Sequence, residues 1–554
     1  MYTFRKAVTS LVPIWVTVFL SLAFAQKGMS TEYTRNSRPP MLNYAELVTL
    51  SEQDPIDSTL AEKLQTLLTT PFVNNEAFHR GAKPIRQVCR QKNPCLRLIA
   101  WNIERGLQLD EIKLAFTNKS GFLSNAIPKS SAEKDAPQVS AVSADREKLG
   151  AQIDILQSAD LIVLNEVDWG MKRTEYRAVV KELGDALNMN WAYGVEFVEV
   201  DPKVLGRQSF ADVKDEVKRK ELEELFSVDQ NRVLGLHGSA ILSRYPIREA
   251  KLLPFKYQAY DWYKGEKGYG TTESTKRKGA SLAFGEEILR EVRRGGRTNL
   301  IATLDVPDLP EGKLTVVAAH LENRTTPSGR RKEAEELLEL LRPISNPVVV
   351  AGDMNTTGKD GSVSDIKSLA KKKAMDPQFW TTKGIKYATG VGIGMDIASF
   401  AFKSTKFQAD PTTSGVPFLA ANPEKGFFEY LDDFRFDDGT RVDFRGDAEL
   451  SVSGRRGTLG NSNERAGKGF VTTFALPRTL GAKGKFKLDW IFVKGYLEQD
   501  TNIPESYRFA PTFARTMNEL NGALEEPLSD HAPISVDLPL SQPGPLKTLA
   551  RGAK

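Results

Sequence analysis

The stretch "NPVVVAGDMNTT", Asn346 to Thr357, joins an apolar run typical of a buried strand to polar groups at its end. Polar groups are costly to remove from water unless they are paired, so a buried strand that ends in them is unusual. Residues two apart on a strand point the same way, and Asp353 and Asn355 therefore face one surface. The stretch predicts a rigid strand that holds two polar side chains at the edge of a sheet.

Six further apolar runs of similar length occur along the chain: "LRLIAWNI", "DLIVLNEV", "GSAILSRY", "LTVVAAHL", "LDWIFVKG" and "ISVDLPL". They are rich in β-branched residues and too short for typical helices, which predicts strands buried on both faces. Helical patterns such as "REKLGAQIDILQ" and "AEELLELL" separate some of them. This mixture indicates an α/β (α+β) fold with helices packed outside the sheets.

Asparagines, carboxylates and histidines stand at the ends of these runs. They are Asn102, Glu104, Asn165, Glu166, His320, Glu322, Asp353, Asn355, Asp489, Asp530 and His531. One acid at a strand end means little, because turns favour Asp and Asn. So many polar ends of mixed type predict strands that converge on one polar cleft. The chain has only four histidines, and function is predicted for His320 and His531 but a structural role for His237.

The residue types in this predicted cleft limit its chemistry. Hard oxygen ligands select Mg²⁺, Mn²⁺ or Ca²⁺ rather than zinc. Mg²⁺ typically takes one or two carboxylates together with phosphate oxygens, while a separate acid or histidine activates water. The set indicates metal-assisted hydrolysis of a phosphate ester.

Seven motifs, in order along the chain, resemble those of the endonuclease/exonuclease/phosphatase superfamily, which has the DNase I-like fold. They are "WNIERG", "DLIVLNEVD", "GSAILSRYPI", "AAHLENR", "GDMNTT", "LDWIFVKG" and "SDHAPI". The resemblance is to a secreted bacterial-type member. It implies a four-layer sandwich in which two central β-sheets are flanked by helices.

The resemblance also implies a metal site. Glu166 would be the principal metal ligand, and Asn102 and Glu104 would complete the shell around the metal and the phosphate. Asp530 would lie beside the metal. Glu104 departs from the pattern, since many members of the superfamily have Asp or another polar residue there.

The same resemblance implies catalytic roles for the remaining strand-end residues. Asp353 would orient or deprotonate the attacking water, helped by Asn355. His320 would bind phosphoryl oxygens or assist the leaving group. His531 would stabilise the transition state, with Asp489 accepting the other N–H of its ring.

The first 25 residues have the parts of a secretory signal peptide: a basic start, a long apolar run and an A-x-A end at Ala23 to Ala25. The alternative is an uncleaved N-terminal membrane anchor, since the run approaches the roughly 20 residues that a bilayer span needs. Removing the segment takes away the charges of Arg5 and Lys6, so the net charge falls from +5 to +3. That charge is too small to argue for nucleic acid binding. We expect a secreted or periplasmic protein.

Composition and pattern divide the rest of the chain. Residues 26–95 are predicted to be a helical N-terminal extension and 96–540 the superfamily domain, with a large insertion at about 357–485. Alternating apolar residues around the turn in "DDFRFDDGTRVDFRG" predict a β-hairpin within that insertion. Residues 541–554 are predicted to be a disordered tail. The two cysteines of "CRQKNPC" are predicted to form a small disulfide loop, as suits an exported protein.

The predicted function is hydrolysis of phosphate esters, phosphodiesters above all, by a divalent metal such as Mg²⁺. The substrate is left open among nucleic acid, a phospholipid headgroup and a small phosphate ester, with peripheral membrane contact possible and no obligate protein partner evident. A sphingomyelinase-like enzyme would need an apolar lip, for which "QAYDWYKG" is the candidate, although packing of that loop on the body is favoured. The alternative of another class is a non-catalytic binding protein on the same fold.

Overall fold

The computed structural model describes residues 33–88, 94–127, 138–211, 213–268, 291–356, 424–444, 462–466, 469–475, 485–497 and 507–540. The elements below lie within one compact unit, Thr34–Lys554. The predicted signal segment, the predicted tail and most of the predicted insertion lie outside the described residues.

The strands are β1 (Asn36–Ser37), β2 (Phe72–Asn74), β3 (Gln87–Val88), β4 (Pro94–Arg105), β5 (Leu161–Trp169), β6 (Asn190–Glu199), β7 (Leu236–Ser243), β8 (Ile247–Pro254), β9 (Arg293–Gly295), β10 (Thr298–Asp305), β11 (Lys313–Ala319), β12 (Val348–Asp353), β13 (Val442–Asp443), β14 (Arg465–Ala466), β15 (Gly469–Phe470), β16 (Phe474–Ala475), β17 (Lys485–Phe486), β18 (Asp489–Lys494), β19 (Tyr496–Leu497), β20 (Tyr507–Arg508), β21 (Thr512–Thr516) and β22 (Ile534–Pro539). The α-helices are α1 (Tyr44–Glu52), α2 (Ser58–Thr69), α3 (Glu76–His79), α4 (Leu109–Thr117), α5 (Lys119–Asn125), α6 (Gln138–Gln157), α7 (Val179–Leu187), α8 (Glu216–Phe226), α9 (Trp262–Lys267), α10 (Pro327–Leu341), α11 (Lys425–Asp433) and α12 (Asn518–Asn521).

Two mixed sheets form the centre of the fold. Within the described residues the larger sheet follows the path β1-β2-β6-β7-β5-β4-β22-β21, with β3 beside β4 and β9 beside β6. The smaller sheet follows the path β13-β18-β12-β11-β10-β8. Strands β4 and β5 are parallel neighbours in the first sheet, and β11 and β12 are parallel neighbours in the second. Each parallel pair therefore ends at one edge of its sheet.

The two sheets pack face to face over a shared apolar core. Leu98 and Val163 of the larger sheet and Val316, Val349 and Ile491 of the smaller sheet belong to one buried cluster. Such interdigitation of inner-face side chains is how sheets stack in sandwiches. The strands are consequently apolar on the face that looks toward the partner sheet.

Helices cover the outer face of each sheet. Ile153 of α6 shares a buried cluster with Trp101 of β4 on the outside of the larger sheet. Leu338 of α10 and Phe427 of α11 share another with Val350 of β12 on the outside of the smaller sheet. The result is the expected four-layer sandwich, and because the central strands are covered on both faces their sequences are nearly continuous apolar runs.

All seven predicted strands are present, as β4, β5, β7, β11, β12, β18 and β22. The two helical patterns quoted above lie in α6 and α10. The region 26–95 contains helices α1 to α3, but its strands β1 and β2 also extend the larger sheet by pairing onto β6.

The hairpin predicted around "DDGT" is wrong. Helix α11 ends directly before Phe434, and β13 pairs with β18 rather than with the segment that precedes the turn. The turn itself forms, because the Gly439 N–H donates to the Phe436 carbonyl at 2.9 Å. Phe434, Phe436 and Phe444 are buried under the smaller sheet, so their alternation reflects burial rather than pairing of two arms.

Cys95 is disulfide-bonded, and Cys89 is the only other cysteine of the chain. The bond at Cys95 agrees with the predicted disulfide, and Cys89 lies outside the described residues. Among the helices of the described residues, none combines the length and the apolar character that crossing a bilayer requires.

Candidate active site

Strand ends from both sheets meet at one place. Asp353, at the end of β12, lies opposite Asp489, at the start of the antiparallel strand β18. The backbone N–H of Asp353 donates to the side-chain oxygen of Asn165 on β5 at 2.8 Å, which joins the two sheets directly. His531 stands just before β22, and the Trp101 indole N–H donates to its carbonyl at 2.8 Å. The convergence predicted from the sequence is therefore present.

Gly352 permits this close approach. Its φ is +140°, and a Cβ atom there would lie 2.1 Å from the Ala319 carbonyl oxygen and 2.5 Å from the Asn165 side-chain oxygen. Both contacts are far inside van der Waals distance. The glycine of the quoted "VVVAGD" stretch is thus required where β12 passes β11 and β5.

Several polar residues of the site have left-handed backbone conformations. Glu104 has φ 48°, Glu166 has φ 51° and Asn355 has φ 49°. The registers of β4 and β5 shift on either side of these glutamates, as at a β-bulge. Bulges re-aim a side chain, and strained backbone of this kind concentrates at functional sites. Here they turn two carboxylates out of buried strands into the cleft.

One part of the cleft, called the histidine side, consists of His320, Asp353, Asp489 and His531. The His531 Nδ1 is 2.8 Å from an Asp489 carboxylate oxygen. The Nε2 atoms of His531 and His320 lie 3.8 Å and 3.9 Å from the same Asp353 oxygen. One buried carboxylate therefore sits between two imidazoles.

Opposite charges shape the protonation of the histidine side. Burial alone would lower the pKa of His531, but Asp489, Asp530 and Asp353 together raise it well above its ordinary value. Burial would raise the pKa of Asp489, and the imidazolium of His531 more than offsets this and lowers it. Burial raises the pKa of Asp353, which suits a group that accepts a proton during the reaction.

Asn355 supports Asp353 through hydrogen bonds from its backbone and its side chain. Its backbone N–H donates to the second Asp353 oxygen at 2.8 Å, and its side-chain amide donates to the Leu321 carbonyl at 2.9 Å. The buried amide therefore fixes the turn that follows β12. Through that turn it holds the Asp353 carboxylate in place.

The other part of the cleft, called the carboxylate side, consists of Glu104, Glu166 and Asp530. A Glu104 carboxylate oxygen accepts from the Asp530 backbone N–H at 3.0 Å. Burial, and then the charge of Glu166, raise the pKa of Glu104. The pKa of Asp530 rises to about 7 through burial, with Glu104 and Glu166 adding to the rise against His531. The side thus holds more negative charge than its surroundings neutralise.

Glu166 remains ionised in this setting. Burial acts to raise its pKa, but the positive charges of Arg105, His237 and His320 outweigh burial and lower it. Arg105 is itself paired with Glu291 at 2.8 Å. Glu166 is therefore a charged carboxylate beside the oxygen atoms of Glu104 and Asp530, and oxygen atoms are the ligands that a hard cation prefers.

Asn102 links the two sides of the cleft. Its amide nitrogen is 3.2 Å from a Glu166 oxygen and 3.3 Å from an Asp353 oxygen, and its amide oxygen accepts from the Glu104 N–H at 3.1 Å. In this orientation the nitrogen, which cannot bind a cation, faces the carboxylates. The structure therefore places Asn102 as a bridge between carboxylates.

A divalent cation fits the carboxylate side. The observation behind this is the presence of three carboxylates, two of which have pKa values raised first by burial and then by repulsion from their neighbours. Among the described residues, the acidic and histidine side chains whose ligand atoms all lie within 4.8 Å of one another are Asp353, Asp489 and His531, on the histidine side. In that group, however, the imidazole already pairs with Asp489, so its charge is neutralised without an ion.

A buried network behind His320 was missed in the sequence. Arg297 lies 2.7 Å from His320 Nδ1 and donates to Glu196 at 2.9 Å, while Nε2 of the same ring faces Asp353 at 3.9 Å. Ser239 donates to Glu196 at 2.5 Å and accepts from the Asn165 amide at 2.9 Å. Asn165 in turn holds the Asp353 backbone. No spacing in the sequence signals this chain, because its members lie on four different strands or loops.

Other sequence candidates have structural roles. His237 Nδ1 pairs with the buried Asp168 at 2.8 Å. Trp262 of the candidate apolar lip is 2% exposed, and its indole N–H donates to Glu322 at 2.9 Å. Tyr263 beside it is buried as well. The aromatic loop packs on the body, and these residues offer no lip to a membrane.

A model of the Endonuclease/Exonuclease/phosphatase family matches residues 99–531 of the chain. No curated protein sequence matches it. The match spans all nine residues that the sequence analysis assigns to the site, and it ends on the last of them, His531.

Several solved structures are similar at low identity. An endonuclease/exonuclease/phosphatase from Beutenbergia cavernae DSM 12333 is 15% identical, with 81% of this chain and 72% of that chain covered and a TM-score of 0.29. A D. rerio TDP2 humanized by 14 mutations is 13% identical, with 80% and 98% covered and a TM-score of 0.32. The 3'-5' exonuclease NExo from Neisseria meningitidis is 14% identical, with 80% and 99% covered and a TM-score of 0.30. TM-scores this low carry no argument about activity.

Proposed function

The chain belongs to the endonuclease/exonuclease/phosphatase family and is a hydrolase of phosphate esters, and from that premise we propose a divalent-metal-dependent phosphodiesterase that acts outside the cytoplasm. The observation that carries the proposal is the position of Asp353. Its carboxylate lies between two imidazoles and is joined through Asn102 to Glu166 of the carboxylate side. This is an arrangement for activating water beside a negatively charged centre.

Asp353 takes the proton from the attacking water. Its raised pKa brings it closer to the operating pH, where a general base works best. The Asn355 N–H and the Asn165 side chain fix its carboxylate and its backbone. Rigid support of this kind keeps the base in line with the phosphorus atom.

The two imidazoles meet the phosphoryl oxygens. His531, whose pKa is raised well above its ordinary value, presents an imidazolium that neutralises negative charge as the transition state forms. His320, on the other side of Asp353, donates a hydrogen bond to a phosphoryl oxygen from its Nε2. Asp489 accepts from Nδ1 of His531 and keeps that ring in position.

Glu166, with Glu104 and Asp530 beside it, would hold the cation. When bound, the ion supplies Lewis-acid polarisation of a phosphoryl oxygen. Mg²⁺ is proposed as the ion, with Mn²⁺ or Ca²⁺ as alternatives, because all the available ligand atoms are oxygens.

The place of action is proposed from the N-terminus and the cysteines. The basic, apolar and A-x-A parts of residues 1–25 support export, and a disulfide at Cys95 suits an oxidising compartment. Expression of the full chain in a bacterium tests this. We expect mature protein outside the cytoplasm that begins at Gln26, whereas uncleaved protein in the membrane would support an anchor.

A substrate panel tests the reaction. It contains double-stranded DNA, RNA, sphingomyelin, inositol phosphates and bis-nitrophenyl phosphate, each with Mg²⁺ and with EDTA. We expect turnover of at least one phosphodiester that EDTA abolishes and that D353N lacks while remaining folded. Turnover that is insensitive to the chelator, or retained in D353N, would contradict the proposal.

A further inference from the structure

Lys487 carries a buried amine that has no hydrogen-bond partner among the described residues. Its side chain is 6% exposed, and its Nζ makes no hydrogen bond within the part of the chain that the structure describes. Its nearest aromatic contact is the Trp490 ring, 5.1 Å away. Buried polar groups in folded proteins are almost always paired, so an unpaired ammonium calls for an explanation.

A second buried lysine, seven residues further along, shows the usual solution. Lys494 at the other end of β18 donates to the Ser345 carbonyl at 2.7 Å and to an Asp438 oxygen at 2.6 Å. Its charge and its hydrogen-bonding capacity are both satisfied. Lys487 therefore differs from its neighbour in pairing, not in burial.

The charged groups that face Lys487 come from two segments. Asp489 and Glu464 are the two carboxylates that act on it. Glu464 is already engaged, since it accepts from the Thr516 N–H at 2.6 Å and lies 3.7 Å from Arg515. Asp489 uses one oxygen for His531, and its other oxygen has no hydrogen-bond partner among the described residues. The unpaired amine and the unpaired oxygen thus belong to the same buried neighbourhood.

We propose that Lys487 is a positioning residue for the Asp489–His531 pair: its buried positive charge stabilises the Asp489 carboxylate from behind and keeps it directed at the imidazole. It does not touch the substrate. The free oxygen of Asp489 is left without a competing hydrogen bond, so the carboxylate is not drawn away from His531. This inference rests on the proposed function and adds a residue to it.

The charge of Lys487 is conditional on pH. Burial lowers its pKa to about 8, although Asp489 and Glu464 oppose the drop. Below that pH the ammonium supports Asp489, and above it the support is lost. An arginine at this position would stay charged throughout, and a methionine would never be charged.

The test compares the pH dependence of kcat and KM for wild type, K487M, K487R and the matched control K494M. Below pH 8 we expect K487M to lose about tenfold in kcat with KM little changed, and the loss to shrink above pH 8. K487R should follow wild type at low pH and exceed it above pH 8. K494M should keep the wild-type profile while it loses stability. An unchanged profile in K487M, or an equal loss in K494M, would overturn the inference.

A measurement without turnover separates this inference from the proposed function. The Nδ1 proton of His531, held by Asp489, should give a downfield proton resonance that D489N removes. We expect that resonance to shift in K487M and to stay in place in K494M. If no substrate of the panel is turned over, the proposed function fails while the resonance still decides the role of Lys487; an unmoved resonance in K487M would refute it.

Discussion

The carboxylate side and the histidine side of the cleft handle charge in opposite ways, although Asn102 bonds to both. On the histidine side, Asp489 pairs with His531 at 2.8 Å. His531 lowers the pKa of Asp489 and Asp489 raises the pKa of His531, which favours the charged form of both groups. On the carboxylate side, Glu104, Glu166 and Asp530 crowd together, and the pKa values of two of them rise. The histidine side contains a balanced ion pair, whereas on the carboxylate side the positive charges of Arg105 and His531 do not offset burial and repulsion at Glu104 and Asp530.

This difference separates two roles that sequence motifs place together. A group of acids and histidines at strand ends predicts a metal site but does not say which members bind the ion. Charge balance does. Buried like charges are stable only with a compensating partner, and an ion supplies one where the protein does not.

The largest expected effect is on the histidine side. D353N should lower kcat by about 10³-fold, because the general base is lost; its one remaining side-chain oxygen can accept from the Asn355 N–H, while the amide nitrogen replaces the oxygen that faces Asn102. E166Q should also be inactive, but added Mg²⁺ should restore part of its activity. Steady-state kinetics at increasing Mg²⁺ measures this. If added Mg²⁺ restored the activity of D353N and not that of E166Q, Asp353 would be the metal ligand and Glu166 would not.

Neutralising one carboxylate should change stability with opposite sign on the two sides. In metal-free protein D489N breaks a buried ion pair and should lower the free energy of unfolding by about 3 kcal/mol. E104Q relieves repulsion from Glu166 and should raise it by roughly 1 kcal/mol. Denaturant unfolding at pH 7 with EDTA gives both values. If both variants were destabilised alike, the contrast between the two sides would be wrong.

Glu333 shows what a raised carboxyl pKa does where no ion is expected. It is fully buried on α10, accepts from the Glu322 N–H at 2.8 Å, and burial raises its pKa to about 8. The folded state therefore holds a proton that the unfolded state releases above about pH 4.5. Wild-type stability should fall relative to E333Q by about 1.4 kcal/mol per pH unit between pH 5 and 8, and level off above. Unfolding curves for the two proteins that stay parallel over this range would exclude a protonated Glu333.

The smallest effect is expected in the network behind the histidine side. S239A removes the link between Glu196 and Asn165 and should reduce kcat about fivefold, with the free energy of unfolding lowered by about 1 kcal/mol. Ser243, four residues further along β7, is an equally buried serine whose hydroxyl accepts from the nearby Tyr245 N–H, and S243A serves as the control. A loss of activity in S243A that matches S239A would show that the relay to Asp353 is not what matters.

The strands and their polar ends were predictable because both signals are local. Seven apolar runs gave seven strands, and Asp353 and His531 stand where the runs predicted a cleft. Strand β6 was missed, since Glu196 and Glu199 interrupt its apolar pattern and are buried by partners far away in the chain. Glu196 of this strand belongs to the network behind His320. The polar residues that obscured the strand in the sequence therefore also obscured the network.

The division of the cleft into two sides was beyond the sequence for a similar reason. Asn102 was expected among the metal ligands, and only the contacts of its amide show it as a bridge. The φ values of Glu104 and Glu166 come from bulges that depend on the pairing of β4 and β5 with their neighbours. The hairpin predicted at "DDGT" does not form, because its second arm, β13, pairs instead with β18, which is distant in sequence. Each case is a tertiary contact that overrides a local pattern.

The most direct test of the account is the melting temperature of wild type, E166Q and D489N as Mg²⁺ is added to metal-free protein. Binding to the folded state alone raises the melting temperature with ion concentration. We predict a rise for wild type, an equal rise for the inactive D489N, and for E166Q a rise only at the higher Mg²⁺ concentrations that restore part of its activity. A rise that D489N loses and E166Q keeps would place the ion at Asp353, Asp489 and His531 and contradict the division of the cleft described here.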